Sequence, residues 1–360
     1  MQITEFWVKR DALRETKIVQ HEARALVDGE VRMAIDKFAL TANNVSYAVI
    51  GDTFGYWKFF PAEGEWGIVP VWGFADVVES RCAELPVGER IWGYFPMASH
   101  LTVTPGKITE ANFYDFAPHR ADLPRLYNQY HRTANDPAPL MAMEDERCLL
   151  FPLFATSFVI YDFLIDNHFF GAEQVVIASA SSKTAFGLAH LLHHDADVSQ
   201  QVVGLTSPGN VAFVNGLGVY DQVVTYDQIA TLPGSVPTAL VDMSGDGGVV
   251  TNMHRHFADN LKDSCLVGLT HWETEQREAS LPGAKPTVFF APARFAKRDK
   301  EWGPGVTVTK AFGASAKISW SIKGQIEITH QQGGSAVTES FLALINNKVP
   351  PSRGLMLSLL

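Results

Sequence analysis

The stretch Gln174-Val175-Val176-Ile177-Ala178-Ser179-Ala180-Ser181-Ser182-Lys183-Thr184-Ala185-Phe186-Gly187 passes from an apolar, β-branched run through small polar residues into helical spacing. Residues 174–179 read as a short buried strand. Across residues 184–194, Phe186, Leu188, Ala189, Leu191 and Leu192 recur at the spacing of one helix face. A strand that runs through a tight loop into a helix is the unit from which parallel sheets are built. The same alternation continues downstream. Gln201–Thr206 and residues 222–226, 238–243, 265–270 and 286–291 read as strands, and residues 208–217 and 248–261 as helices. Six short strands interleaved with helices predict an α/β doubly wound parallel sheet.

In such a sheet the turn after the first strand is where a phosphate loop stands. Small side chains let the backbone approach a pyrophosphate, and the helix start supplies N–H donors and positive dipole. Ser182 and Thr184 add hydroxyls and Lys183 a charge, but no GxGxxG is present; Gly187 is the only glycine of the stretch. An ordinary strand-to-helix turn accounts for the same residues, because small polar residues are good N-caps. The second strand ends at Thr206-Ser207-Pro208-Gly209-Asn210, with no Asp or Glu to hold the ribose hydroxyls of NAD. Ser207 and Asn210 fit NADP there, and fit a plain capped turn as well.

Upstream the pattern is different. Residues 1–104 read as short strands between turns: residues 24–27, a turn at Asp28-Gly29, then residues 30–35, 73–79, 89–95 and 101–104, as in a partly open barrel. Residues 107–147 lose periodicity and read as an insertion or lid. Residues 148–170 are too long and apolar for one strand, so a buried helix joining two domains is expected. The last part holds strand-like residues 306–309 and 325–329 and a helix-like 336–346, which fits a return to the first domain. The aromatic group Phe54, Tyr56, Trp57, Phe59 and Phe60 reads as a loop core or pocket wall.

The chain has 360 residues, 46% of them hydrophobic and 19% charged, which suits two folded domains and excludes a largely disordered one. A net charge of −10 argues against nucleic acid and anionic membranes as partners. The three cysteines are dispersed, with no CxxC pair, and the start MQITEFWVKRDAL is broken by charges, so a cytoplasmic protein without a secretory leader is expected. No GxSxG supports a hydrolase. His190, His193 and His194 have a spacing able to bind metal, yet read as a solvated helix end.

Several blocks follow one another in an order that resembles the medium-chain dehydrogenase/reductase superfamily. They are Glu30-Val31-Arg32-Met33, Asn43-Asn44, Val69-Pro70, Val87-Gly88-Glu89-Arg90-Ile91-Trp92-Gly93, Phe154-Ala155-Thr156-Ser157-Phe158, residues 175–187, Gly216-Leu217-Gly218-Val219, and Val241-Asp242 with Gly245. The resemblance is to the zinc-free quinone oxidoreductase and enoyl reductase side. It implies a GroES-like β-rich catalytic domain from residues 1–153 and 298–360 and a Rossmann-like nucleotide-binding domain from residues 154–297. It also implies an NADP cofactor, a small-molecule substrate and a homodimer paired through the apolar run Thr287-Val288-Phe289-Phe290-Ala291. Carried across by position, Ser179, Ala180, Ser182, Lys183, Thr184 and Ala185 stand in the pyrophosphate loop. Ser207 meets a 2′-phosphate, Asn210 replaces a basic residue, Tyr226 contacts the adenosine end, and Thr156 and Leu269 approach the cofactor. Asn44 falls at the asparagine of the substrate cleft, Tyr47 replaces an expected aspartate, and Tyr47 and Tyr56 are candidate proton donors. Thr41-Ala42-Asn43-Asn44 and Trp72-Gly73-Phe74-Ala75-Asp76 lack the Cys and His that bind catalytic zinc in relatives. The implied activity is hydride reduction of an activated alkene, enone, enoyl thioester or quinone. A nucleotide-binding or structural protein without turnover is the alternative.

Overall fold

The computed structural model describes residues 1–268 and 280–360. They form two compact units, Met1–Leu149 with Gly324–Leu360, and Leu150–Lys323. The chain opens with β1 (Gln2–Lys9), β2 (Ala12–Glu22), β3 (Val31–Leu40), α1 (Ala42–Val49), β4 (Trp66–Gly67), β5 (Pro70–Ser80) and β6 (Arg90–Pro96). It continues through β7 (His100–Val103), β8 (Pro105–Gly106), β9 (Asn112–Asp115), β10 (Gln129–Arg132), α2 (Ala138–Met141) and α3 (Glu144–Leu149). The second unit runs α4 (Phe151–Asp166), β11 (Gln174–Ala178), α5 (Lys183–His193), β12 (Gln201–Thr206), α6 (Val211–Gly216), β13 (Gln222–Thr225), β14 (Thr238–Asp242), α7 (Gly247–Phe257), β15 (Leu261–Leu266), β16 (Thr287–Val288), α8 (Ala291–Trp302) and α9 (Val306–Ser321). Then β17 (Glu327–Gln332), α10 (Gly334–Ile345) and β18 (Arg353–Ser358) complete the first unit.

The second unit carries a six-stranded parallel sheet in the order β13-β12-β11-β14-β15-β16. Its central strands are apolar along their whole length because both faces are covered; every residue of β11 and β14 is buried. Val176, Val203, Leu205 and Leu240 pack with Met253 and Phe257 of α7 in one core. The order reverses at β11, so the loop from β11 to α5 stands at the switch point where open α/β sheets bind ligands.

The first unit is β-rich: a three-stranded sheet β2-β1-β4, and a nine-stranded one in which β3, β5 and β6 are central and β18 pairs with β3. Its core is aromatic, with Phe6, Phe38, Phe74, Trp92, Tyr94, Phe95, Phe113 and Tyr130 fully buried.

Four local expectations are overturned. Residues 24–27 form no strand: the Arg24 guanidinium pairs with Glu30, whose carboxylate also accepts the Val27 N–H at 2.9 Å, so local side-chain bonds replace a ladder. Residues 107–147, expected as an aperiodic insertion or lid, instead contribute strands to the larger sheet. Strand β10 pairs with both β6 and β9, placing Phe113 and Tyr130 in the core. Residues 306–309 begin a helix, because Gly305 at φ +81° turns the chain and Thr307, Ala311, Ser315 and Ile318 then bury one face of α9. Of residues 286–291 only Thr287–Val288 pairs, since Ala291 and the following Pro start α8. The return to the first unit falls at Gly324.

Candidate dinucleotide site and tyrosine cluster

The turn out of β11 is braced on every side. Ser179 takes φ +57°, the left-handed region that glycine enters freely, and its N–H donates to Tyr226 Oη at 3.1 Å. Ala180 donates its N–H to Leu205 O at 3.0 Å and accepts the Tyr220 hydroxyl at 2.9 Å. Gly204 makes room for that tyrosine, since a Cβ there would come within 2.9 Å of the Tyr220 ring. Ser182 donates its N–H to Ser179 O at 2.8 Å and, as N-cap of α5, accepts the Ala185 N–H on its hydroxyl at 3.3 Å. Asn210 Nδ2 lies 3.1 Å from both Ser181 Oγ and Ser207 Oγ, tying the loops after β11 and β12 together. No carboxylate stands among these partners.

Of the orphan donors at the start of α5, Ala185 N–H is taken by the cap, and Thr184 N–H has no intrahelical partner. Lys183 lies in the same turn, and burial pushes its ammonium down to about 8. Burial raises the Tyr226 phenol to about 12, so it stays a neutral hydroxyl on the loop. Gly187 serves packing: a Cβ would lie 2.6 Å from Phe154 Cδ1 and Ser157 Oγ on α4, while Ser157 donates to Thr184 O at 2.7 Å. Gly187 thus lets α5 cross close against α4. Thr156, half-buried on α4, donates its hydroxyl to Pro152 O at 3.0 Å.

A dinucleotide fits this donor set. Thr184 N–H, the Ser181 and Ser207 hydroxyls and the Lys183 ammonium are suited to phosphate oxygens. The structure therefore brings together Ser179, Ala180, Ser182, Lys183, Thr184, Ser207, Asn210 and Tyr226 about one loop. Leu269 lies outside the described residues. Sequence reading missed Tyr220, Ser181 and Ser157, which act through bonds to backbone or amide and leave no pattern.

In the first unit, α1 places Asn44, Tyr47 and the neighbouring segment. Asn44 Oδ1 accepts the Thr41 N–H at 2.7 Å and its Nδ2 donates to Pro70 O at 2.8 Å, so this buried amide holds the helix start against β5. Tyr47 and Tyr56 do meet, with ring centroids 4.4 Å apart, and the Tyr56 hydroxyl lies 3.3 Å from that of Tyr127. Tyr127 stacks on Tyr94 at 4.5 Å. The sequence reading missed Tyr94 and Tyr127. Tyr127 lies within residues 107–147, whose sequence reads as an insertion or lid. Burial raises all four phenols, which keeps them protonated as hydrogen-bond donors.

His190 and His194 stack with centroids 4.1 Å apart, and burial with two neighbouring imidazoles holds His190 down at about 4. Among the described residues no group of three His, Cys, Asp or Glu side chains is arranged to hold a metal ion. No helix there is long and apolar enough to cross a membrane.

Three solved structures show the fold. CurA from Vibrio vulnificus, in complex with NADPH, matches with a TM-score of 0.64 at 13% identity, over 99% of this chain and 98% of that one. The quinone oxidoreductase from Coxiella burnetii matches at 0.54 and 12% identity over 100% of both chains. The mitochondrial 2-enoyl thioester reductase Etr1p/Etr2p heterodimer from Candida tropicalis matches at 0.57 and 11% identity, again over 100% of both. The chain thus shares the fold of these three structures over nearly its whole length. A search of the curated proteins finds no match. The model of one sequence family, described as a protein of unknown function (DUF2855), matches residues 38–350, and the chain belongs to that family.

Proposed function

We propose that this protein is an NADPH-dependent oxidoreductase that reduces an activated alkene, enone, enoyl thioester or quinone without zinc. The observation that carries the reading is the braced loop at the switch point of the parallel sheet, with Thr184 N–H, Lys183 and the Ser181 and Ser207 hydroxyls about it. When bound, NADPH supplies a hydride from its nicotinamide. Thr184 and Lys183 hold the pyrophosphate, and Ser207 with Asn210 receives the 2′-phosphate, for which the lack of an acid after β12 leaves room. Tyr47 and Tyr56 are the proton donors offered to the carbon or oxygen that becomes basic after hydride transfer. Asn44 positions α1 beneath them through Pro70 and Thr41.

A second reading has one observation in its favour. Ser179 and Ala180 have already given their N–H groups to Tyr226 and Leu205, so the loop offers fewer donors than a glycine-rich one. That suits a nucleotide-binding protein without turnover. Both readings are tested by incubating the protein with NADPH and a panel of enones, enoyl thioesters and quinones while following nicotinamide absorbance. Turnover with any of them supports the reductase. Saturable NADPH binding with no turnover supports the second reading, and no binding removes both.

A further inference from the structure

A pocket of about 370 Å³ opens in the first unit between Arg10, Asp52, Trp57, Lys58, Pro61 and His119. None of these residues has a part in the site described above. The walls are fixed. Trp57 fills the space over Gly51 and Gly67, where an added Cβ would come within 2.2 and 2.4 Å of the indole. Between Lys58 and Pro61, the carbonyl of Phe59 accepts from His119 Nε2 at 3.2 Å and from Arg120 Nε at 3.3 Å, which pins the segment. Arg120 is itself fully buried, paired with Asp115 and stacked on Phe60 at 4.6 Å. On the opposite side, Arg10 Nε donates to Trp66 O at 2.9 Å, which aims the guanidinium while leaving its terminal nitrogens uncommitted.

Charge decides what such a pocket takes. Arg10 and Lys58 line it with no carboxylate partner among the described residues, in a chain whose net charge is −10. Asp52 is the single acid of the lining. The volume falls in the range of small-molecule sites, about 300–1,000 Å³, and is too large for an inorganic anion alone. Pro61 and the small exposed part of Trp57, 3% of that residue, provide apolar contact for the remainder. We infer that this pocket binds a small organic oxyanion, a phosphate monoester or a carboxylate with a planar body. Its head lies between Arg10 and Lys58 and its body lies along Pro61, beside the exposed part of Trp57. All of these residues belong to the first unit, whereas the dinucleotide loop belongs to the second.

The test titrates phenyl phosphate, benzoate and inorganic phosphate into the full chain, read by tryptophan fluorescence and calorimetry. The expected result is saturable binding of phenyl phosphate or benzoate at least tenfold tighter than inorganic phosphate; whichever of the two organic probes binds more tightly names the head group. Arg10→Gln and Lys58→Ala each weaken that probe at least tenfold, and Asp52→Asn tightens it severalfold, with unchanged thermal transitions. NADPH titrations of the same variants stay as in the parent chain, which separates this pocket from the dinucleotide loop. The inference is overturned if neither organic probe saturates, if inorganic phosphate binds as tightly, or if folded Arg10→Gln and Lys58→Ala proteins bind like the parent.

Discussion

The Tyr226 hydroxyl accepts the Ser179 N–H at 3.1 Å, and this bond helps hold a non-glycine residue at φ +57° where the parallel sheet changes direction. A glycine loop adopts such a turn through its own freedom. Here the conformation is imposed from outside by Tyr226, Tyr220 and Asn210. Ser179→Gly relieves the left-handed strain but adds chain entropy, so stability should change by less than about 1 kcal/mol. NADPH affinity should rise severalfold, because the backbone can approach closer; calorimetry on the variant checks it.

At the start of α5, Thr184→Trp should abolish NADPH binding while leaving the thermal transition nearly unchanged, since Thr184 is half-exposed. Lys183→Ala should cost about 1 kcal/mol or more of binding if the ammonium contacts phosphate. A Trp variant that binds NADPH normally removes this loop as the anchor.

The pH profile gives a separate reading of Lys183. Burial lowers its value to about 8 from the ordinary 10.5, so the ammonium is present at pH 7 and mostly lost at pH 9. NADPH affinity should therefore fall as pH rises across that window, by up to about tenfold, and the fall should vanish in Lys183→Met. For folding the sign is opposite. The penalty of a buried ammonium is complete below about pH 8 and fades as pH rises toward 10.5.

Gly187→Ala places a methyl 2.6 Å from Phe154 and Ser157, and should destabilise by about 1–3 kcal/mol. Denaturant unfolding measures this. An unchanged midpoint contradicts the close crossing of α4 and α5.

The parallel sheet was legible because its central strands β11, β12 and β14 are buried on both faces and read as apolar runs, and the stretch from Gln174 to Gly187 marked its first turn. Val306-Thr307-Val308-Thr309 misled because β-branched residues favour strands locally, whereas Thr307 is buried on a helix face by tertiary packing. In the tyrosine cluster, Tyr47 and Tyr56 could be named from their place in the chain. Tyr94 and Tyr127 join them only through the pairing of β5, β6 and β10, which local pattern does not carry. Bonds such as Asn210 to Ser181 depend on two loops meeting at strand ends, and no spacing foretells them.

A second copy pairing along β16 is a further expectation, because Val288 is 57% exposed on an edge strand of the sheet. Light scattering at micromolar concentration should give twice the chain mass of 39.6 kDa. A monomer contradicts the pairing.

Turnover should survive prolonged chelation, as neither Thr41–Asn44 nor the start of β5 carries zinc ligands. Elemental analysis showing a stoichiometric zinc required for activity contradicts the zinc-free reading.

Calorimetric titration of the protein and of Ser207→Asp with NADPH and with NADH tests the central claim most directly. The account predicts saturable binding of both cofactors, a modest preference for NADPH in the parent chain, and reversal of that preference in the variant by repulsion of the 2′-phosphate. Equal or NADH-favouring affinity in the parent chain, or no binding of either cofactor, contradicts it.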